Sequence, residues 1–298
     1  MFILNRTHAR WAFKDLLGQA NHFLITILVG LNGVKSKQIK MDEEFRTSWN
    51  PQDAKRSAER SRVFALDLSL VRAVDALDTY MMMSVRKPCA ILDEDFIAAM
   101  GATKRSVANR LDVFDKYLPS ISDGQKALLK LAIEWRNRRV HSLSNDRMDR
   151  AQRKVISDFQ STLSEKYSGL SAAELLTHFD SGAAPTFKEA ASIIRLCHQT
   201  VEHYDAHILR RLPLTRYLCD AVTMILSEGG GDLRPAISRI WDHPKREAKA
   251  LRLLRLAGVF EASGGVGREV PDDFIKSFIS LRPEHVESFL REAHLSEP

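Results

Sequence analysis

The sequence LLKLAIEWRNRRVH, residues 128–141, predicts the central helix of the fold. Apolar side chains recur along this segment and just beyond it at helical spacing: Leu129, Ala132, Ile133, Val140 and Leu143. That spacing is typical of an amphipathic helix, which we expect to begin near Ser122. Polar side chains at i, i+3, i+4 and i+7 form a second stripe: Glu134, Asn137, Arg138 and His141. The segment therefore predicts a helix with one buried face and one face able to carry out phosphate chemistry.

The same segment contains Arg136, followed directly by Asn137 and then, after three more residues, by His141. This pattern resembles the motif of the HEPN superfamily, an Arg and a His separated by a short run, often with a polar residue straight after the Arg. The resemblance implies an all-α fold, a HEPN-like helical bundle. It also implies a homodimeric, metal-independent ribonuclease of phage defence or toxin–antitoxin control, with an antitoxin or another defence-system protein as a possible partner.

The ribonuclease chemistry implied by this resemblance uses RNA as substrate and needs no metal or other cofactor. RNA carries its own nucleophile, the 2′-OH group. His141 is the expected acid or base, because imidazole changes charge near neutral pH. Arg136 would bind the phosphate through two parallel hydrogen bonds, and Asn137 would orient His141 or bind phosphate. We expect Arg138 and Arg139 to be further phosphate ligands.

The spacing of the motif leaves its geometry open, because residues five apart lie about 140° from one another on a regular helix. Arg136 could reach around the helix, the helix could loosen near His141, or Arg138 could share the role of Arg136. In the alternative interpretation, residues 135–139 are a solvated basic helix end whose cations lie favourably near the negative end of the helix dipole.

The rest of the chain predicts helices almost throughout, with long ones at 9–31, 51–85 and 185–212. We predict three segments: an N-terminal helix and linker that pack on the bundle (1–50), the HEPN-like helical bundle (51–212) and a C-terminal helical domain (213–298). In the last segment, residues 259–262 and 268–270 could form a hairpin around a Gly-rich turn. Together with the preceding helices, this hairpin resembles a winged helix-turn-helix domain.

Two carboxylates of the predicted helix 51–85 could meet the motif helix across the bundle. Asp75 and Asp78 are candidates to pair with Arg136 or Arg139. The alternative is that both are solvated helix carboxylates, which contribute little to stability. We expect neither carboxylate to be catalytic.

Composition indicates a soluble globular protein, with 44% hydrophobic and 28% charged residues. A net charge of +6 permits a nucleic-acid partner without requiring one. The three cysteines share no CxxC spacing, which favours a reducing compartment, and we expect a cytoplasmic protein. The apolar segment Phe23–Leu31 is too short to span a bilayer, so we expect no membrane association and consider it a candidate part of the dimer interface.

Two other clusters support alternative functions. A basic helix near the C-terminus could bind nucleic-acid phosphates: Lys245, Arg246, Lys249, Arg252 and Arg255. On that hypothesis the protein is a non-enzymatic regulator or adaptor. His203 and His207 stand at i and i+4 and could share a metal, as in a metal-dependent hydrolase, although the sequence offers no third ligand at a diagnostic spacing.

Overall fold

The computed structural model describes residues 1–39, 53–141, 147–227, 232–261 and 267–292, and it confirms the all-α fold. The helices of the described residues are α1 His8–Leu17, α2 Ala20–Lys35, α3 Ala54–Met83, α4 Glu94–Ala102, α5 Val107–Tyr117, α6 Asp123–Val140, α7 Arg150–Asp158, α8 Gln160–Lys166, α9 Ala172–Asp180, α10 Phe187–Arg211, α11 Leu214–Leu226, α12 Arg234–Trp241, α13 Arg246–Leu256, α14 Asp272–Ser280 and α15 Pro283–Glu292. Three short strands accompany them: β1 Phe2–Leu4, β2 Val259–Glu261 and β3 Arg268–Val270.

The chain divides into two compact units, each assembled from separate stretches of sequence. The first unit comprises Met1–Ala12, Asp78–Ser120 and Val201–Pro298, and the second comprises Phe13–Leu77 and Ile121–Thr200. This partition differs in kind from the three contiguous segments predicted from the sequence, 1–50, 51–212 and 213–298, which stay a prediction. The HEPN-like motif lies in the second unit, whereas the basic helix α13 lies in the first.

The motif helix α6 begins where the sequence predicted. Ser122 is its N-cap, and the Ser122 and Gln125 side chains form a reciprocal capping box with the backbone. The predicted apolar positions Leu129, Ala132 and Ile133 are buried. Val140, in contrast, is half exposed at the C-terminal end of α6. Leu143 lies outside the described residues.

The N-terminal helix predicted for residues 9–31 is two helices, α1 and α2. The break falls at Gly18, where a Cβ atom would lie 2.5 Å from the carbonyl oxygen of Lys14, so a side chain there would clash with the backbone. In the second unit, α2 packs Leu24 and Leu28 into a core cluster with Ala65, Leu66 and Ala190. The predicted linker and the start of the second helix at Pro51 fall mostly within residues 40–52, outside the described part of the chain.

The predicted C-terminal hairpin is wrong in its pairing. Strands β2 and β3 form where the sequence placed them, but both pair antiparallel with β1, which lies between them in the order β2-β1-β3. Strand β1 precedes the first helix predicted from the sequence, at 9–31, and was not predicted. Ile3 and Leu4 of β1 are buried, so the N-terminal strand contributes apolar burial that a two-stranded wing would lack.

A buried carboxylate holds the N-terminal segment in the first unit. The Asp205 carboxylate of α10 accepts hydrogen bonds from the Thr7 backbone N–H at 3.3 Å and from its hydroxyl at 2.5 Å. The Arg10 guanidinium lies 3.7 Å away, and the Asp205 side chain is fully buried. Burial raises the pKa of Asp205 to about 6, although Thr7 and Arg10 act in the opposite direction.

Stability should therefore fall as the pH rises through the range set by Asp205. A folded-state pKa above the unfolded value of 3.8 means that the folded chain binds the extra proton, so the stabilisation is complete below about pH 4 and is lost as the pH passes about 6. We expect Asp205→Asn to remove up to about 3 kcal/mol of pH dependence from the free energy of unfolding. Urea unfolding at about pH 4.5 and about pH 7 measures it. Glu202→Gln, on an exposed partner of Arg10, is the matched control, and an unchanged pH dependence in Asp205→Asn would contradict the expectation.

Candidate functional site

Helix α3 holds the arginine of the motif. The Arg136 guanidinium forms an ion pair with the half-exposed Asp75 carboxylate through Nη2, and its Nη1 donates to the Asn137 side-chain oxygen at 3.1 Å. Of the two interpretations left open for Asp75, an ion pair with a motif arginine and a solvated carboxylate, the structure shows the ion pair. Arg136 Nε is buried without a hydrogen-bond partner. One side of the guanidinium is occupied by protein oxygens, and the side chain as a whole is 20% exposed.

The predicted pairing of Asp78 with the motif arginines is wrong. Asp78 lies in the first unit, where it receives two hydrogen bonds from Arg110, at 2.5 Å from Nε and 2.8 Å from Nη2. Residues three apart lie on nearly the same helix face but about 4.5 Å further along the axis, so the two carboxylates meet different neighbours. Arg139 pairs instead with the carboxylate of Asp67, which no sequence pattern had marked as a partner.

The two arginines after Asn137 fasten helix α6 to the end of helix α9. Arg139 forks onto the Asp67 carboxylate at 2.8 and 2.5 Å and donates to the Gly182 carbonyl at 2.8 Å. Arg138 donates to the Phe179 carbonyl at 2.7 Å, with its guanidinium carbon 4.6 Å from the Phe179 ring centroid. Their role as phosphate ligands stays a prediction, and an RNA phosphate would compete with these internal acceptors.

His141 occupies the C-cap of α6. Its backbone N–H donates to the Asn137 carbonyl at 2.8 Å, and its φ of −109° and ψ of 103° are extended. The sequence left three geometries open for the motif. In the structure the helix ends at His141, and the Arg138 guanidinium donates to a backbone carbonyl. The imidazole is exposed. Asn137 connects the two ends of the motif, since its side chain contacts Arg136 and its carbonyl accepts from His141.

A second histidine lies close to this region in the second unit and carried no signal in the sequence. His178 Nδ1 lies 2.8 Å from the Glu189 carboxylate, whose other oxygen accepts from the Thr186 backbone N–H at 2.6 Å. Thr186 and Glu189 form a capping box at the start of α10, a pattern that is visible in the sequence. The partner His178 is eleven residues away and joins it only through the fold.

The basic helix α13 is largely solvent-facing. Of the predicted phosphate ligands, Lys245 and Arg246 are exposed, whereas Lys249 is half-buried and donates from Nζ to the Arg239 carbonyl at 3.0 Å. Arg252 is also exposed, and Arg255 lies 3.6 Å from the Glu261 carboxylate. The helix therefore presents a row of cations, of which Lys249 is the least available.

The histidine pair of the metal hypothesis lies on α10. His203 is exposed, while burial lowers the pKa of His207, with a further contribution from Arg211 and Arg210. Within the described ranges, no group of three or more His, Cys, Asp or Glu side chains could hold a metal ion.

The N-terminal apolar segment is longer than the sequence predicted. Residues His8–Lys35, which comprise α1 and α2, are long and apolar enough to cross a membrane by length and composition alone. Four large apolar side chains of α2 are exposed: Phe23, Ile25, Ile27 and Val29. Exposed apolar residues continue on α3 in the same unit: Val63, Phe64 and Leu68. We refer to these seven residues as the α2–α3 apolar surface.

The class that the fold defines is an all-α protein with a small three-stranded sheet. No family model, curated protein or solved structure matches the chain. The similarity to HEPN proteins consequently rests on Arg136, Asn137 and His141, on the helix that carries them and on the all-α fold.

Proposed function

We propose that the protein is a metal-independent endoribonuclease of the HEPN type. The observation that carries the proposal is the arrangement at the end of α6. Arg136 is held in place by Asp75 and Asn137, and the exposed imidazole of His141 terminates the same helix. A phosphate-binding cation and a solvent-accessible acid–base group are the two kinds of group that cleavage of an RNA phosphodiester requires, and both lie at the C-terminal end of α6.

The reaction would use the ribose 2′-OH of the substrate as nucleophile. An imidazole accepts the 2′-OH proton, and the 2′ oxygen forms a bond to phosphorus as the bond to the 5′ oxygen breaks. A second imidazole, His141 of another copy, donates a proton to the departing 5′ oxygen. The products are a 2′,3′-cyclic phosphate and a 5′-hydroxyl. Arg136 would offset the negative charge that gathers on the phosphate oxygens in the transition state.

A homodimer would supply the second imidazole, and the α2–α3 apolar surface supports one. Phe23 and Ile27 of α2 line one groove together with Leu68 of α3, and monomeric soluble proteins rarely expose large contiguous apolar patches. On a regular helix Phe64, Leu68 and Asp75 fall within about 40° of one another, so one face of α3 carries both exposed apolar residues and the partner of Arg136. A second copy docked on this face would lie next to the motif.

Charge placed on this surface should separate the copies. We expect the wild-type chain to sediment as a dimer at micromolar concentration, and Phe64→Glu to sediment as a monomer because a buried unpaired carboxylate is costly at an apolar interface. RNA cleavage should be lost in parallel. Ile97→Glu is the control, since Ile97 is also an exposed apolar residue but belongs to the first unit and lies outside the α2–α3 apolar surface. Sedimentation velocity gives the oligomeric state of the wild-type chain and of both variants. A dimeric Phe64→Glu variant would exclude this face as the interface.

The function is tested by incubating the purified wild-type chain with single-stranded RNA in excess EDTA and analysing the product ends. Cyclic-phosphate and 5′-hydroxyl ends formed without metal support the proposal. Cleavage that needs added metal, or that leaves 5′-phosphate ends, contradicts it. A defence or toxin–antitoxin setting, with a cytoplasmic location and an antitoxin or defence-system partner, is part of the same proposal through the HEPN resemblance.

Asp75 should limit the affinity of the site for RNA, because its carboxylate competes with phosphate for Arg136. We expect Asp75→Asn to bind single-stranded RNA about two- to fivefold more tightly at low salt, the scale of an exposed ion pair. The difference should shrink as salt is added. Fluorescence anisotropy in a His141→Ala background measures binding without cleavage. Asp15→Asn removes an equal charge from an exposed position of the same unit, so equal gains in both variants would show an effect of net charge alone.

A second candidate function is non-enzymatic nucleic-acid binding through α13, which the exposed Lys245, Arg246 and Arg252 favour. Phosphate contacts of this kind give affinity that falls steeply with salt and carries little sequence preference. Replacing these three residues by glutamine would then abolish binding, while His141→Ala would leave every measured property unchanged.

A further inference from the structure

The first unit contains a pocket of about 580 Å³ between its N-terminal segment and the ends of α11 and α13. Most of the lining is apolar: Trp11, Ala221, Met224, Ile225, Leu256 and Ala257. The polar lining comes from Arg6, Thr7, His8 and Ser227. A pocket of this size with an apolar lining and a few polar groups is typical of sites for small ligands or for one inserted residue of a polymer.

An exposed indole stands at this pocket. Trp11 is 49% exposed, whereas the other described tryptophans, Trp135 and Trp241, are at most 1% exposed. The imidazole of His8 stacks on Trp11 with the ring centroids 5.8 Å apart and the planes 16° apart. At this separation the two rings are offset, and the exposure of Trp11 leaves a flat aromatic surface available. Such a surface suits a planar ring, because bases stack on exposed aromatic side chains.

The electrostatics of the pocket favour an anionic ligand. Arg6 lines it, with its guanidinium carbon 5.7 Å from the Phe260 ring centroid. None of the described residues that line the pocket is a carboxylate. Desolvation lowers the pKa of His8 and so favours the neutral ring, which can accept a hydrogen bond through one nitrogen. A ligand with an aromatic ring and a phosphate would match both features of the pocket, the exposed indole of Trp11 and the cationic side chain of Arg6.

We propose that this pocket binds one unpaired nucleotide of single-stranded RNA, with the base against Trp11 and a phosphate at Arg6. The inference rests on the proposed ribonuclease function for its polymeric ligand, and it makes single-stranded RNA the substrate class. Stacking is tolerant of sequence, because every base has a flat face, so the site would hold RNA without selecting one base. Duplex RNA, whose bases are already stacked and paired, would not use it.

The first experiment uses adenosine 5′-monophosphate as probe and tryptophan fluorescence as readout. The experiment uses the Trp49→Phe variant, because Trp49 lies outside the described residues and its fluorescence would add an unassigned signal. Adenosine 5′-monophosphate should quench the fluorescence to saturation, and ribose 5-phosphate should leave it unchanged. Quenching that is absent, or equal with both compounds, overturns the inference.

The second experiment measures binding of a fluorescein-labelled single-stranded oligoribonucleotide by anisotropy in EDTA, in a His141→Ala background. Trp11→Ala should weaken binding by roughly 5- to 150-fold, the scale of one lost base stack. Trp11→Phe keeps an aromatic ring and should stay within about threefold of the parent. Ile97→Ala, which truncates an exposed apolar residue elsewhere in the first unit, is the matched control and should have no effect.

The outcomes separate this inference from the proposed function. If Trp11→Ala binds single-stranded RNA as tightly as its parent, or if the parent shows no RNA binding, the nucleotide site is overturned, and a protein segment becomes the better occupant of the pocket. Metal-independent cleavage that depends on His141 would still stand in the first of these cases. Conversely, a Trp11-dependent affinity without cleavage by the wild-type chain would support the pocket and contradict the ribonuclease.

Discussion

Replacing His141 by alanine should lower the rate of RNA cleavage by about 10²- to 10⁴-fold, the usual contribution of a positioned general acid or base. The imidazole is exposed at the end of α6, so the substitution removes the acid–base group without opening a cavity in the core. Single-turnover cleavage in excess EDTA measures the rate. The folded stability of the variant should remain within about 0.5 kcal/mol of wild type, as is usual for surface positions.

Two companion measurements separate catalysis from structure at this position. Free imidazole should restore part of the activity of His141→Ala, because it can enter the exposed position left by the side chain. Val140→Ala changes the adjacent half-exposed residue and should cleave at the wild-type rate. Cleavage by His141→Ala at the wild-type rate would remove His141 from the mechanism and leave the α13 hypothesis as the stronger one.

Replacing Trp135 by alanine should destabilise the protein by about 3–5 kcal/mol, the range measured for large aromatic side chains removed from cores. Trp135 is fully buried, and its ring packs edge-on against Phe179 with the centroids 6.1 Å apart. Its indole N–H donates to the Ala183 carbonyl at 2.9 Å. The substitution would therefore create a cavity and also leave that carbonyl without its donor.

Urea unfolding measures the loss, with two substitutions for comparison. Trp135→Phe keeps most of the packing but not the hydrogen bond, so its cost should be smaller than that of alanine. Trp11→Ala truncates the same residue type at a half-exposed position and should cost less than about 1 kcal/mol. Equal unfolding midpoints for Trp135→Ala and Trp11→Ala would contradict the burial of Trp135. Because the neighbouring Arg138 and Arg139 bind the carbonyls of Phe179 and Gly182, cleavage should weaken together with stability.

Local spacing predicted the all-α fold and the position of α6 correctly. The stripe of Leu129, Ala132 and Ile133, together with the cap at Ser122, placed the motif helix correctly, because helical periodicity and capping depend on residues within a few positions of one another. The ion pair of Arg136 with Asp75 was one of two interpretations that the sequence left open, since a carboxylate on a helix can equally stay solvated.

Several partners could not be predicted, because they join residues far apart in sequence. The strand Phe2–Leu4 is too short to show an alternating pattern, and its place between β2 and β3 depends on contacts across more than 250 residues of chain. The pairing of Arg139 with Asp67, and of His178 with Glu189, likewise exists only where the fold brings those helices together. The packing of α3 decided that Arg136 pairs with Asp75 and that Asp78 pairs with Arg110 instead.

The features that the sequence determined differ from those that the tertiary structure decided in the range of the interactions behind them. Helix formation, capping and the order of cations along α6 are set by neighbouring residues, so residues 122–141 determine them locally. The exposure of His141, the restraint of Arg136 and the open indole of Trp11 were decided by tertiary structure. Burial and side-chain pairing depend on which distant segments pack together, and that choice reflects many small packing energies spread over the whole chain.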